Sequence, residues 1–229
     1  MQIYPVIHYL DAATALGQVV IAKQCGADGV FLISHHGRDD DLISVARESK
    51  QRHPDFQIGI NLLSNSPRFA AESALEVGLD MVWADDMGVD SRGITTGGDG
   101  GGGAWLSDFA HKHPAIKLFA SVAFKYRPHE PHPDIAAERA LIEGFIPTTS
   151  GSGTGSAPDV SKIALMSKAA DGQLAIASGM TPENVADYAP YLSHILVATG
   201  IAVDDYRMDA GKLTRLISVA KASSFSLKG

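Results

Sequence analysis

Phe145-Ile146-Pro147-Thr148-Thr149 runs without a break into Ser150-Gly151-Ser152-Gly153-Thr154-Gly155, and the segment Val160–Ala169 then follows with helical period. A short β-prone run, a glycine loop and an amphipathic segment make one strand-loop-helix unit. The same unit recurs along the chain. Strand candidates are Ile3–Tyr9, Gly29–Ser34, Gln57–Leu63, Met81–Ala84, Ile116–Phe124, Phe145–Thr149, Leu174–Ala177 and Ile195–Ala198. Helical segments between or after them include Ala13–Gln24, Leu42–Gln51, Arg68–Val77, Ile135–Ile142 and Lys212–Ala222.

Three of these units return to the next strand through similar punctuation: Cys25-Gly26-Ala27-Asp28-Gly29, Val77-Gly78-Leu79-Asp80 and Glu143-Gly144-Phe145. A glycine there can take the left-handed conformation that ends a helix. Eight such units predict an α/β chain folded as a single (β/α)8 TIM barrel over residues 1–229. A doubly wound open sheet shares the alternation, but it usually has fewer strands and needs a reversal of strand order that this sequence does not display.

Composition narrows the function classes. Hydrophobic residues make up 45% of the chain and charged residues 20%, enough apolar surface to bury a sizeable core. The formal charge of -7, with no basic cluster, argues against a nucleic-acid partner. Cys25 is the single cysteine, so no intramolecular disulfide is expected. Met1-Gln2-Ile3-Tyr4-Pro5 lacks the basic start of a signal peptide, and no apolar run approaches the roughly 20 residues of a membrane span. The expectation is a soluble, cytoplasmic protein. Thr95–Gly103, almost all glycine, reads either as a plain connector after the fourth strand or as a lid over the barrel mouth.

In a barrel of this kind the chemistry sits where strands end, so the residues just after each strand are the candidates. Ser150, Gly151, Gly153, Thr154 and Gly155 form a loop whose amides could turn toward an anion without obstruction by side chains. In Ser178-Gly179-Met180-Thr181-Pro182-Glu183-Asn184, Thr181 reads as an N-cap and Pro182 as a first helical residue. Free amides at that helix start would face a phosphate, with Thr199-Gly200 after the eighth strand as the second half of the cradle. Asn61, from the third-strand segment, joins the binding set.

The catalytic candidates are Asp85, Lys125 and His8. One of Asp85 and Asp86 must point into the mouth by strand alternation, where burial would raise a carboxyl pKa toward the working range of a general base. Lys125 ends an apolar run; it suits neutralising a phosphate or carboxylate, and would form a Schiff base only if desolvated. His8, His35 and His36 end the first two strands, and with Asp39 or Asp85 they could approach one another, yet their spacing matches no metal signature. No metal and no cofactor are expected.

Over nearly its whole length the chain resembles the BtpA family of TIM-barrel proteins. The likeness is carried by Val6-Ile7-His8-Tyr9-Leu10, Ile58-Gly59-Ile60-Asn61-Leu62-Leu63-Ser64-Asn65, Phe124-Lys125, the Ser150-Gly151 to Thr154-Gly155 loop and Ser178-Gly179-Met180-Thr181-Pro182-Glu183-Asn184-Val185. The last segment is also similar to phosphoribosylanthranilate isomerase and related phosphate-binding barrels, although the first strand lacks the cysteine which that enzyme uses as its base. The resemblance implies the barrel fold, a phosphorylated ligand and, for the family, a role in photosystem I accumulation in cyanobacteria. It departs at Ile33-Ser34-His35-His36-Gly37-Arg38-Asp39, at Lys125-Tyr126 and at Ala198-Thr199-Gly200. His35 and His36 are therefore candidates for this chain's own specificity.

Together these readings describe an enzyme acting on a small phosphorylated sugar- or nucleotide-derived molecule, by proton transfer (isomerase or lyase chemistry) or at an anomeric carbon. The alternative is a non-catalytic ligand-binding or assembly factor. Homo-oligomerisation is expected only by analogy of fold.

Overall fold

The computed structural model describes residues 1–95 and 102–224. Eight parallel strands close into a barrel: β1 (Gln2–His8), β2 (Gly29–Ile33), β3 (Gln57–Asn61), β4 (Met81–Ala84), β7 (Lys117–Ser121), β8 (Ile146–Thr149), β9 (Ala175–Ala177) and β10 (His194–Val197). Between β4 and β7 lies a small antiparallel hairpin, β5 (Val89–Asp90) with β6 (Gly93–Ile94). Neighbours in the barrel follow chain order, and β1 closes it by pairing with β10 on one side and β2 on the other.

Helices cover the outside: α1 (Ala12–Gln24), α2 (Asp39–Arg52), α3 (Pro67–Val77), α4 (Gly102–Lys112), α5 (Pro133–Ile142), α6 (Val160–Ala169), α7 (Val185–Tyr188) and α8 (Ala210–Ser223). Two 3-10 turns, Ala189–Tyr191 and Thr199–Ile201, follow α7 and β10. No helix among the described residues is long and apolar enough to cross a membrane.

The predicted helix-ending glycines are where the sequence places them: Gly26, Gly78 and Gly144 have φ of 84°, 74° and 82°. The aspartates that follow two of them fasten the strand starts. Asp28 accepts from the Ile3 amide at 2.9 Å, and Asp80 accepts from the Ile58 amide at 2.8 Å while pairing with Lys50. Each carboxylate thereby satisfies a backbone donor at the barrel's lower rim.

Strand alternation sorts the side chains into two cores. Ile3, Ile7, Val30, Leu32, Ile58 and Ile60 face the helices. Tyr4, Phe31, Met81, Trp83, Phe119, Ala175 and Leu196 fill the interior. There the rings meet edge to face, Tyr4 against Phe31 at 5.8 Å and Phe31 against Phe119 at 5.1 Å, the arrangement that aligns ring edges with π-faces. Gly59 exists because of this packing: a Cβ there would lie 2.5 Å from the Phe31 ring. The barrel floor is polar, with Lys117 Nζ donating to Gln2 Oε1 (2.7 Å) and Gln57 Oε1 (3.1 Å), and Tyr4 OH donating to the same two oxygens.

Two details differ from the sequence expectation. Helix α7 begins at Val185, not at Pro182, because the Thr181 amide donates to Asn184 Oδ1 (2.8 Å) and a turn over 182–184 comes first. The hairpin and α4 were not anticipated between the fourth and fifth barrel strands. Most of the glycine tract read as a connector or lid lies outside the described residues, but its ends are tied, Gly103 N donating to Thr95 Oγ1 at 3.0 Å and Ala104 N to Thr95 O at 2.9 Å.

His194 stacks on Tyr4 and meets the Phe119 edge, and its burial lowers its pKa from 6.5 to about 3. The unfolded chain therefore takes up a proton below about pH 6.5 that the folded chain refuses, so stability falls as the pH drops through that window. The loss should be on the order of 3 kcal/mol between about pH 6.5 and pH 4. Urea unfolding across this range should show His194→Phe with a shallower acid limb than the parent. Parallel limbs would show that His194 is not the buried neutral group.

Candidate active site

Alternation that packs Tyr4, Trp83 and Leu196 inside the barrel carries the same columns upward to His8, Asp85 and Ala198 at the mouth. These residues line a cavity of about 370 Å³ at the C-terminal ends of the strands. Its apolar wall comes from Val6, Ile33, Trp83, Phe124 and Leu196; its polar wall comes from His8, His35, Asp85, Lys125, Thr154 and the loops after β9 and β10.

Of the two neighbouring acids, Asp85 faces the cavity, whereas Asp86 pairs with Arg127 at 2.7 Å and accepts from the Gly88 amide. Asp85 is open to the cavity but surrounded by enough protein that desolvation pushes its pKa up. The Asn61 amide, Lys125, Arg127 and His35 offset part of that rise. Asn61 lies 1% exposed beneath the mouth and does not line the cavity; its Nδ2 is near enough to Asp85 to favour the carboxylate, yet it completes no hydrogen bond of good geometry.

Lys125 is half-buried, and desolvation lowers its pKa against the raising influence of Tyr126 and Asp85. Its Nζ donates to Thr154 Oγ1 at 3.2 Å. His8 packs edge to face on His35, ring centroids 5.1 Å apart, and burial, then His35, lower its pKa so that the neutral ring prevails near pH 7. Asp205, from the segment after β10, opposes that shift and was not visible as a site residue in the sequence. His36 is exposed and lines only a shallower outer pocket with Tyr9, His35, Asp205 and Tyr206. Among the described residues no group of three or more His, Cys, Asp or Glu side chains could hold a metal ion.

The glycine loop after β8 has most of its polar groups engaged within the protein. Ser150 is fully buried, its Oγ donating to Gly151 O and accepting from the Lys125 amide. Gly151 is buried against Ser156. Thr154 N donates to Tyr126 OH, Gly155 N to Ser178 Oγ, and Ser156 N to Gly153 O. Ser178 Oγ in turn donates to Gly153 O. This loop thus props Ser178 and presents Thr154, while backbone amides left without an acceptor lie in the other two loops that line the cavity. Neither the Gly179 nor the Met180 amide donates to an acceptor among the described residues. Thr199 and Gly200 open the 3-10 turn after β10, where amides have no intrahelical partner.

These loops approach one another backbone to backbone. A Cβ on Gly200 would lie 1.9 Å from Met180 O, and one on Gly179, at φ 76°, would lie 2.4 Å from Ala157 N. Among the described residues, three of the four non-glycine positions with positive φ, Ala123, Tyr126 and Ser178, stand in the loops around this cavity. Such conformations cost of order 1–3 kcal/mol each and gather at functional sites.

No family model matches the sequence, and no curated protein matches it. Solved structures do. The chain is similar to monomers of the dimeric phosphoribosylanthranilate isomerase of Thermotoga maritima, with TM-score 0.67, 16% identity, and 97% and 99% of the two chains covered. It is similar to the thiamine phosphate pyrophosphorylase of Pyrococcus furiosus, with TM-score 0.65, 12% identity, and 97% and 96% covered. It is also similar to a 4-hydroxy-2-oxoglutarate and 2-dehydro-3-deoxyphosphogluconate aldolase, with TM-score 0.59, 15% identity, and 97% and 94% covered. At these identities the likeness establishes the TIM-barrel fold.

The glycines of the two loop systems should respond differently to substitution. Gly200→Ala should destabilise by about 3 kcal/mol or more, since backbone must move. Gly153→Ala, whose Cβ would meet nothing closer than 3.9 Å, should be neutral or stabilising by about 0.5 kcal/mol. Thermal melts of the two variants decide it; equal effects would mean that the loops do not interlock as described.

Proposed function

We propose that this chain is an enzyme that binds a small phosphorylated, sugar- or nucleotide-derived metabolite and catalyses proton transfer on it, on a BtpA-like barrel. The observation that carries the proposal is the single cavity that sets Asp85, Lys125 and His8 across from the unspent amides of Gly179 and Met180. Preorganised amides favour an anion, and a phosphate seated on them would leave the rest of a small molecule facing the titratable trio.

The electrostatics suit the chemistry. Burial raises the pKa of the Asp85 carboxyl and lowers that of the His8 imidazole, which favours a proton on the former and a free ring nitrogen on the latter, an acid and a base in one cavity. Lys125, at the cavity wall beside them, stabilises the negative charge that develops when a carbon next to a carbonyl loses its proton. Trp83 and Phe124 exclude water from one side and strengthen these interactions.

A thermal-shift screen of sugar phosphates and nucleotides tests the reading. A ligand at about 100 times its Kd should stabilise the protein by about 2.7 kcal/mol, a rise of several degrees. Lys125→Ala should weaken the hit. Asp85→Asn should keep it while turnover falls by about 10²- to 10⁴-fold. A hit indifferent to both changes removes these residues from the site, and tight binding without turnover by the parent protein identifies a non-catalytic factor.

A further inference from the structure

We propose that Lys125 acts as a covalent nucleophile, condensing with the carbonyl carbon of an aldehyde or keto phosphate to form a Schiff base in this cavity. The inference rests on the proposed function and names the substrate's reacting group. In the sequence alone an electrostatic role for Lys125 is the stronger reading; its surroundings in the fold reverse that preference.

Among the described residues, burial lowers the pKa of three lysines, Lys117, Lys125 and Lys162. Two are committed to structure. Lys117 Nζ is held at the barrel floor by Gln2 and Gln57, far from the mouth. Lys162 Nζ donates to Ala123 O at 2.8 Å and Ser150 O at 3.0 Å, which joins the loops after β7 and β8. Lys125 Nζ has one hydrogen bond among the described residues, to the Thr154 hydroxyl, and no carboxylate within ion-pair distance. A hydroxyl can accept from an ammonium and can equally donate to a neutral amine, so this contact does not hold the lysine in its charged form.

The backbone that carries Lys125 is built for position. Ala123 (φ 47°) and Tyr126 (φ 61°) flank it in left-handed conformations. Ala123 O accepts from Lys162 Nζ and Thr149 Oγ1, and the Lys125 amide donates to Ser150 Oγ at 2.8 Å. Strain retained two residues before and one residue after the lysine, and clamped by three side chains, marks a group whose placement matters. A lysine serving only as a diffuse positive charge would not require it.

The chemistry balances with groups already in the cavity. The neutral Nζ attacks the carbonyl carbon, the C=O π bond breaks toward oxygen, and a proton passes from the nitrogen to that oxygen to give a neutral carbinolamine. Asp85, in the protonated form that its desolvation favours, donates a proton to that hydroxyl, and the nitrogen lone pair expels water, leaving an iminium on Lys125 and a carboxylate on Asp85. The carboxylate is then placed to remove the proton on the adjacent carbon, whose electrons flow into the iminium to form an enamine. Reprotonation and attack of water on the iminium return the free lysine.

The test is reductive trapping of the whole protein. Dihydroxyacetone phosphate and unphosphorylated dihydroxyacetone are each incubated with it in the presence of cyanoborohydride, which reduces an imine to a stable amine, and the adducts are mapped by peptide mass spectrometry. The expected result is a dominant adduct on Lys125, formed with the phosphate at about tenfold lower concentration than with its unphosphorylated analogue. Lys125→Arg should keep the positive charge and the melting temperature yet lose the adduct. Labelling spread over lysines according to exposure, or unchanged in Lys125→Arg, overturns the proposal. Stabilisation of the protein by the phosphate without an adduct on Lys125 also overturns it, and leaves the phosphate-binding reading standing. Equal trapping of both probes on Lys125 supports the nucleophile and sinks the phosphate cradle instead.

Discussion

Closure of the barrel at β1 is the constraint on which the rest depends. Gln2 to Pro5 pair with His194 to Val197 on one side, while Val6 to His8 pair with Phe31 to Ile33 on the other. A strand hydrogen-bonded on both edges cannot slip by one residue without exchanging its whole inner and outer faces. Inner packing leaves little room for such an exchange: Tyr4 is fully buried between Phe31 and Phe119, and Gly59 has been emptied of a side chain to admit the Phe31 ring. The site inherits its order from this core. His8, Asp85 and Ala198 are at the mouth because Val6, Trp83 and Leu196 are one step below them.

That inheritance explains how much was legible in the residues alone. Alternation and helical period are local properties, and so are glycines that end helices; the eight barrel strands and the returns at Gly26, Gly78 and Gly144 could be read from them. The hairpin β5–β6 could not, because two-residue strands carry no period. The start of α7 was misplaced for a different reason. Thr181-Pro182 has the composition of a helix start, but Asn184 Oδ1 competes for the Thr181 amide and delays the helix.

The site divides in the same way. Residues fixed by strand parity, such as Asp85 rather than Asp86, follow from position in sequence plus the fold. Roles of loop amides depend on pairings that only three-dimensional contact creates. Ser150 to Gly155 look open to an anion as written, yet Tyr126 OH, Ser178 Oγ and Gly153 O absorb the donors at Thr154, Gly155 and Ser156. Asp205 reaches His8 from a segment nearly two hundred residues away, and nothing local announces that contact.

One consequence joins the loop architecture to the chemistry. In the loop after β8, Gly153 and Gly155 bond Ser178, and Thr154 between them bonds Lys125 and Tyr126. An anion that shifts Ser178 therefore shifts the Thr154 hydroxyl, the single hydrogen-bond partner of Lys125 Nζ among the described residues. The lysine's pKa rests on desolvation, opposed by Tyr126 and Asp85, and Tyr126 itself bonds Thr154 through its hydroxyl. Under the proposed function, the anion-binding and reacting ends of the cavity would belong to one hydrogen-bonded unit, through which remote binding energy could prepare the reacting group.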